Sequence, residues 1–343
     1  MSLTRRFTLS LLLLAVLVPF NAGAWNRIPA TTFATLPPGS ANPEGITADN
    51  HGNIYVADFA VGGTPSGVGQ VIVFDRAGQL ARVLNIAGSS QMLLGLAFQP
   101  GTGDLLVLDF GGQQVLKVNP VTGAASLFAS IPGGASAGPN ALTFDDAGNV
   151  YVSDSFQGVI WKIPPGGGSA TSWASGPLLT TTGVPPFGAN GIAFNRDRSA
   201  MFVANTGNDT IVKIPVTGGA AGTPEVFVNS INGADGLIMD DADNLWVAAN
   251  QADEIVVVDP TGRVIAKLGD FDGIDRQGAP RGLLFPASLV RSGSFIYVTN
   301  LALDLRLFGL PPPVDAPWAA QVTRHTISRI PAFVPPIKDF SGH

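Results

Sequence analysis

Six times along the chain, a short apolar run, a polar turn rich in Asp, Asn and Gly, and a run of β-branched and aromatic residues follow one another. The segments are "EGITADNHGNIYVAD" from Glu44, "LGLAFQPGTGDLLVLD" from Leu94, "NALTFDDAGNVYVSD" from Asn140, "NGIAFNRDRSAMFVAN" from Asn190, "DGLIMDDADNLWVAAN" from Asp235 and "PASLVRSGSFIYVTN" from Pro286. Each reads as a hairpin of two strands around a tight turn. A third strand follows each pair, as in "QVIVFDR" (70–76), "QVLKVNP" (114–120), "VIWKIPP" (159–165), "TIVKIPV" (210–216), "EIVVVDP" (254–260) and "TISRIPA" (326–332). After the first five comes a fourth, more exposed strand such as "LARVLNI" or "EVFVNSI". Four strands in a repeat of about 45–50 residues is the period of a propeller blade. The pattern predicts an all-β, six-bladed β-propeller with four antiparallel strands per blade, a single domain spanning 25–343. The sixth repeat lacks its fourth strand, and "ATTFATLP" (30–37) has the right character to supply it and close the ring. An insertion at about 301–324 fits no strand template. It could be a lid over one face, but a decorated connection is the plainer reading.

Composition narrows the setting. Of 343 residues 45% are hydrophobic, enough for a large core, and 42 Gly with 27 Pro suit a protein of many tight turns. Residues 1–24 read as a cleavable signal peptide: Arg5 and Arg6, the run "LSLLLLAVLVPF", then an Ala22-x-Ala24 site. The run is short for a membrane span, so the expected location is periplasmic or extracellular, with no stable membrane insertion after cleavage. There is no cysteine and hence no disulfide. The formal charge of −6 falls to near −8 once the two arginines leave, and no basic stripe is visible, which argues against nucleic-acid binding.

In a propeller the innermost strands line the central channel, so residues at one register form a ring. Reading the first residue of each repeat gives Glu44, Leu94, Asn140, Asn190, Asp235 and Pro286, each followed by glycine or alanine. Two carboxylates and two amides converging on an axis cannot stay buried without compensation. A single divalent cation supplies it, held by Glu44, Asn140, Asn190 and Asp235. All-oxygen donors favour Ca2+, with Mg2+, Mn2+ or Zn2+ as alternatives. A single Asn or Asp at a strand start would merely cap a turn. Four in register mark a site.

The same residues carry a family resemblance. "EGI" in the first repeat, "PNALTFD", "ANGIAFN", "ADGLIMDDADNLWVA" and the last "FPASLVRSGSFIYVTN" resemble the SMP-30/gluconolactonase/luciferin-regenerating-enzyme family over roughly residues 40 to 300. The resemblance implies one catalytic divalent metal in the channel, held at Glu44, Asn140, Asn190 and Asp235, with Asp235 as the catalytic carboxylate and general base. It implies metal-dependent hydrolysis of a small-molecule lactone or ester. Where some relatives place an acidic residue after the third repeat's Asn to hold a sugar-type substrate, this chain has Ala141. With Leu94 and Pro286 also apolar, the substrate is expected to be more hydrophobic than a sugar lactone.

Other features read as structural. Asp58, Asp109, Asp154, Asn205, Asn250 and Asn300 end the second strand of all six repeats and are expected to cap turns. His51 and His325 are expected at the surface. No nucleophile elbow, phosphate loop or zinc-protease motif is present. The competing class is a non-catalytic, NHL-like propeller that binds a ligand or protein, which has no need of carboxylates on its axis.

Overall fold

The structure is a computed structural model that describes residues 27–61, 63, 66–310 and 316–335. The expected signal peptide lies outside the described residues. Alternating side chains on the predicted hairpins form six four-stranded blades. Blade one comprises Asn42–Ala48, Ile54–Phe59, Gly69–Phe74 and Leu80–Ile86, from the axis outward, and the next four blades repeat this order, blade four with an added two-residue strand, Ala220–Ala221, on its third strand. In blade six the order is Pro286–Ser292, Phe295–Asn300, Thr326–Pro331 and then Thr31–Thr35 from the other end of the chain. Ring closure by the N-terminal strand is therefore as the sequence predicts. A short hairpin, Phe271–Ile274 with Pro280–Gly282, joins blades five and six and has no counterpart in the repeat.

The core is divided among the blade interfaces. Tyr55, Val71 and Val73 of blade one pack on Leu93, Leu105 and Val107 of blade two, and Phe74 and Ile54 pack on Tyr297 and Ile327 across the closure. The second strands are buried on both faces, which explains their continuous apolar runs. The tight turns are fixed by side-chain oxygens: Asp240 accepts from the Ala242 and Asn244 N–H groups at 2.8 and 2.9 Å.

All six innermost strands share one irregularity. Pairing is interrupted between Pro43 and Ile46, Leu93 and Leu96, Pro139 and Leu142, Ala189 and Ile192, Ala234 and Leu237, and Pro286 and Leu289. In each case two residues stand opposite one on the partner strand, a β-bulge that re-aims a side chain. The re-aimed residues are Glu44, Leu94, Asn140, Asn190, Asp235 and Ala287. The sixth ring position is thus Ala287 rather than Pro286, because Pro286 still pairs with Asn300 and only the next residue is bulged.

Candidate functional site

The bulges bring Glu44, Leu94, Asn140, Asn190 and Asp235 to one cavity at the axis. In four of the six bulges the second residue is a glycine that allows close approach: a Cβ on Gly236 would lie 2.6 Å from the Ala287 carbonyl oxygen, and one on Gly95 2.6 Å from that of Asn140. The four predicted oxygen-bearing residues are all about 95% buried. About 40 Å3 of the cavity is open to the centre of a water molecule, room for about three waters.

The polar groups of the cavity are under-satisfied. The Asn250 amide Nδ2 donates to Asp235 Oδ2 at 2.9 Å, and the Asn190 Nδ2 donates to Thr206 Oγ1 at 2.9 Å, which donates on to the Ala234 carbonyl at 2.7 Å. Glu44 Oε2, Asp235 Oδ1 and Asn250 Oδ1 are shut off from water and have no partner. Other buried carboxylates are satisfied: Glu254 is paired with Arg27 at 2.9 Å and Lys267 at 2.5 Å, and Asp58, Asp109 and Asp154 accept from backbone N–H groups. Glu44 and Asp235 have no such counter-charge. Burial, and then the charge of Asp235, push the Glu44 carboxyl well above the ordinary carboxylate range. Burial likewise raises Asp235 to about 7, against the downward pull of the Asn250 and Asn190 amides and the Gly236 N–H. Three orphaned oxygens around two unpaired carboxylates fit a hard cation: each orphan is an acceptor, and the cation would supply the missing charge. Among the described residues there is no cluster of three or more His, Cys, Asp or Glu, so the donor set is a carboxylate–amide mixture.

Asn250 was expected to cap a turn and does not. Asp58 accepts from the Ala41 N–H at 3.0 Å, Asp109 from Ser90 and Gly112, and Asp154 from Gly138 and Gln157. Asn205 donates to the Leu178 and Thr180 carbonyls, and Asn300 accepts from the Leu284 N–H. In blade five the corresponding N–H, that of Gly233, is taken instead by Asp209 of blade four at 2.7 Å. Asn250 is released to face the cavity. Asp253 of blade five makes a like contact with the Phe285 N–H of blade six at 2.7 Å, but there Asn300 keeps the Leu284 N–H.

The remaining walls are apolar: Phe59, Leu94, Pro185, Phe187 and Phe285, with Leu301, Leu303 and Leu305. The start of the insertion is therefore a wall of the cavity, not a plain connection. It is tied down by Asn42 Nδ2, which donates to the Leu301 carbonyl at 2.7 Å. His51 is exposed as expected. His325 is not a surface residue: it is half-buried, its Nδ1 is sealed from water without a partner, and burial pushes its pKa down to about 4. It does not line the cavity.

Residues 89–269 match the family model of the SMP-30/Gluconolactonase/LRE-like region. The fold is similar to that of a luciferin-regenerating enzyme, at 14% identity over 87% of this chain and 94% of that one, with a TM-score of 0.62. A gluconolactonase from Xanthomonas campestris aligns at 15% identity over 90% and 96%, with a TM-score of 0.59. Regucalcin, a calcium-binding protein from Agrobacterium tumefaciens, aligns at 16% identity over 90% and 99%, with a TM-score of 0.60. No curated protein matches the chain.

Proposed function

The chain belongs to the SMP-30/gluconolactonase/LRE-like family, a lactonase-like propeller, and from that premise we propose that it is a divalent-metal-dependent hydrolase of lactones or carboxylic esters. The observation that carries the reading is the trio of partnerless oxygens on Glu44, Asp235 and Asn250 in one buried cavity. Glu44, Asn140, Asn190 and Asp235 would hold the cation, with Ca2+ preferred by this all-oxygen set over Mg2+, Mn2+ or Zn2+. When bound, the cation would polarise the substrate carbonyl and acidify a water.

The chain's own residues divide the remaining work. Asp235 is held at Oδ2 by the Asn250 amide, which leaves Oδ1 to take the proton of the attacking water as general base. Glu44, with no donor on Oε2, contributes charge rather than proton transfer. Thr206 locks the Asn190 amide so that its oxygen keeps one orientation. The apolar walls keep bulk water away and so strengthen every charge interaction inside. The N-terminal pattern supports delivery to the periplasm or the exterior.

Elemental analysis of the purified protein, thermal unfolding with and without chelator, and a pH-indicator screen of lactones and aryl esters test the reading. A bound cation, a chelator-dependent loss of stability and turnover are expected. An apoprotein indifferent to cations and inert to every ester would be the NHL-like scaffold instead.

A further inference from the structure

Continuous with the cavity, through its lining residues Phe59 and Phe187, runs a second feature that the oxygen ring does not use. Four phenylalanines from four successive blades form an arc: Phe59 meets Phe110 edge-on with centroids 5.9 Å apart, Phe110 meets Phe156 edge-on at 5.4 Å, and Phe156 and Phe187 are tilted at 33° with centroids 5.5 Å apart. Two of them, Phe59 and Phe110, directly follow the strand-ending aspartates of blades one and two, and Phe156 follows that of blade three by two residues. Leu301, Leu303 and Leu305 pack with Phe59, Leu94 and Phe285 in one apolar cluster, against which Phe110 also packs. The arc is not sealed: Phe156 is 45% exposed. An aromatic surface left partly open beside an under-satisfied polar centre is the usual anatomy of a small-molecule site, in which apolar walls bind and a few polar groups orient.

The polar inventory points the same way. Besides Glu44, Asp235 and the three asparagines, Thr206 is the one polar side chain among the described residues lining the cavity, and its hydroxyl is already engaged with Asn190 and Ala234. With the orphaned oxygens committed to a cation, a polyhydroxylated substrate would strip water from its hydroxyls and find few groups to replace it. The oxygens lie in a cavity whose other lining is apolar, from Phe59, Leu94, Phe187 and Phe285 to Leu303 and Leu305. A group attached to a carbonyl held at the oxygens would meet these apolar side chains rather than polar ones.

We infer that the arc Phe110–Phe156–Phe187 and the wall Leu303–Leu305 form a subsite for an alkyl substituent, so that the substrates are alkyl-substituted lactones. This rests on the lactone-hydrolysis reading of the same cavity. The subsite discriminates by burial: each methylene transferred from water to the arc is worth about a fourfold gain in kcat/KM when fully covered, and about twofold when half-covered.

The test compares γ-butyrolactone, γ-caprolactone, γ-decalactone and glucono-δ-lactone with the Ca2+-loaded protein, alongside Nile red fluorescence as a binding readout that needs no turnover. A kcat/KM that climbs with alkyl length, little activity on glucono-δ-lactone, and Nile red displaced by γ-decalactone are expected. Phe156→Asp should flatten the dependence on chain length and weaken Nile red binding at least tenfold, and because Phe156 is half-exposed the variant is expected to fold. Equal or better turnover of γ-butyrolactone and glucono-δ-lactone would overturn the subsite while leaving lactone hydrolysis intact. Nile red binding displaced by γ-decalactone without any hydrolysis would uphold the apolar subsite and sink the hydrolase reading. Dye binding unaffected by both γ-decalactone and Phe156→Asp would overturn the subsite.

Discussion

Replacing Asp235 by Asn exposes the tension in the cavity directly. The substitution keeps the shape and an oxygen to accept from the Asn250 amide, but removes one of two unpaired carboxylates. Raising Asp235 from its ordinary 3.8 to about 7 means that keeping it ionised in the cation-free protein costs on the order of 4 kcal/mol. The sign follows from the folded state holding the proton more tightly than the unfolded chain. Wild-type stability is undiminished below pH 3.8, falls as the pH rises, and has lost this contribution once the pH passes about 7. The Asn variant has no such loss at this position, and its Glu44 is relieved of the neighbouring charge. In chelator the variant should match the wild type near pH 4 and be more stable at pH 8 by about 4 kcal/mol. At roughly 2.1 cal/mol/K of unfolding entropy per residue, a ring of about 300 residues gains about 6 °C in Tm. Calorimetry or dye-monitored melting across pH in chelator reads this out, with Ca2+ added in a parallel series. Cation should stabilise the wild type and not the variant, and lactone turnover should vanish in the variant. A variant no more stable than wild type at pH 8, or a gap equal at pH 4 and pH 8, would refute the buried-charge reasoning; near wild-type turnover would remove Asp235 as the base.

Three further outcomes are expected. Asn250→Ala deletes the donor to Asp235 Oδ2 and one orphaned oxygen, and should weaken Ca2+ about 10- to 100-fold by calorimetric titration, as loss of groups supporting a metal ligand does; an unchanged Kd would return Asn250 to a purely structural role. Gly236→Ala places a Cβ 2.6 Å from the Ala287 carbonyl oxygen and 2.8 Å from Ser288 Cα, so a fall in stability of about 1–3 kcal/mol in denaturant titration is expected, and no loss would mean that the neighbouring bulge yields freely. His325→Leu should flatten the acid side of the stability profile: with the folded pKa at about 4 against an ordinary 6.5, the wild type is fully stable above pH 6.5 and loses up to about 3 kcal/mol as the pH falls through 4. A Tm-versus-pH slope identical in both proteins would show the ring to be solvated.

Much of the architecture was legible because a propeller repeats its grammar. Period-two alternation gave the strands, the recurrence gave the blades, and the missing fourth strand of the last repeat pointed to the N-terminal segment that pairs with Thr326–Pro331. The ring was legible for the same reason, except at its last position. There the bulge sits one residue later than the start of the apolar run, after a Phe285 with a positive φ of 46°, and nothing in residue type betrays such a local twist. Asn250 stayed hidden because it shares its residue type with Asn205 and Asn300, which do cap; only Asp209, reaching across from blade four, changes its task. His325 and the leucine wall depend on where a long connection folds back, a matter of tertiary contact that no short-range pattern encodes.

The bulge common to all six inner strands has a consequence for how such a site can change. A ring side chain borne on the bulge is not part of any cross-strand pair, so its identity is uncoupled from the ladder on either side. Leu94 and Ala287 occupy their positions on the same backbone as Glu44 and Asp235, and the sheets do not register the difference. The axis behaves as a socket with six interchangeable pins. Chemistry can be rewritten there one pin at a time, with the frame that holds the pins left as it was.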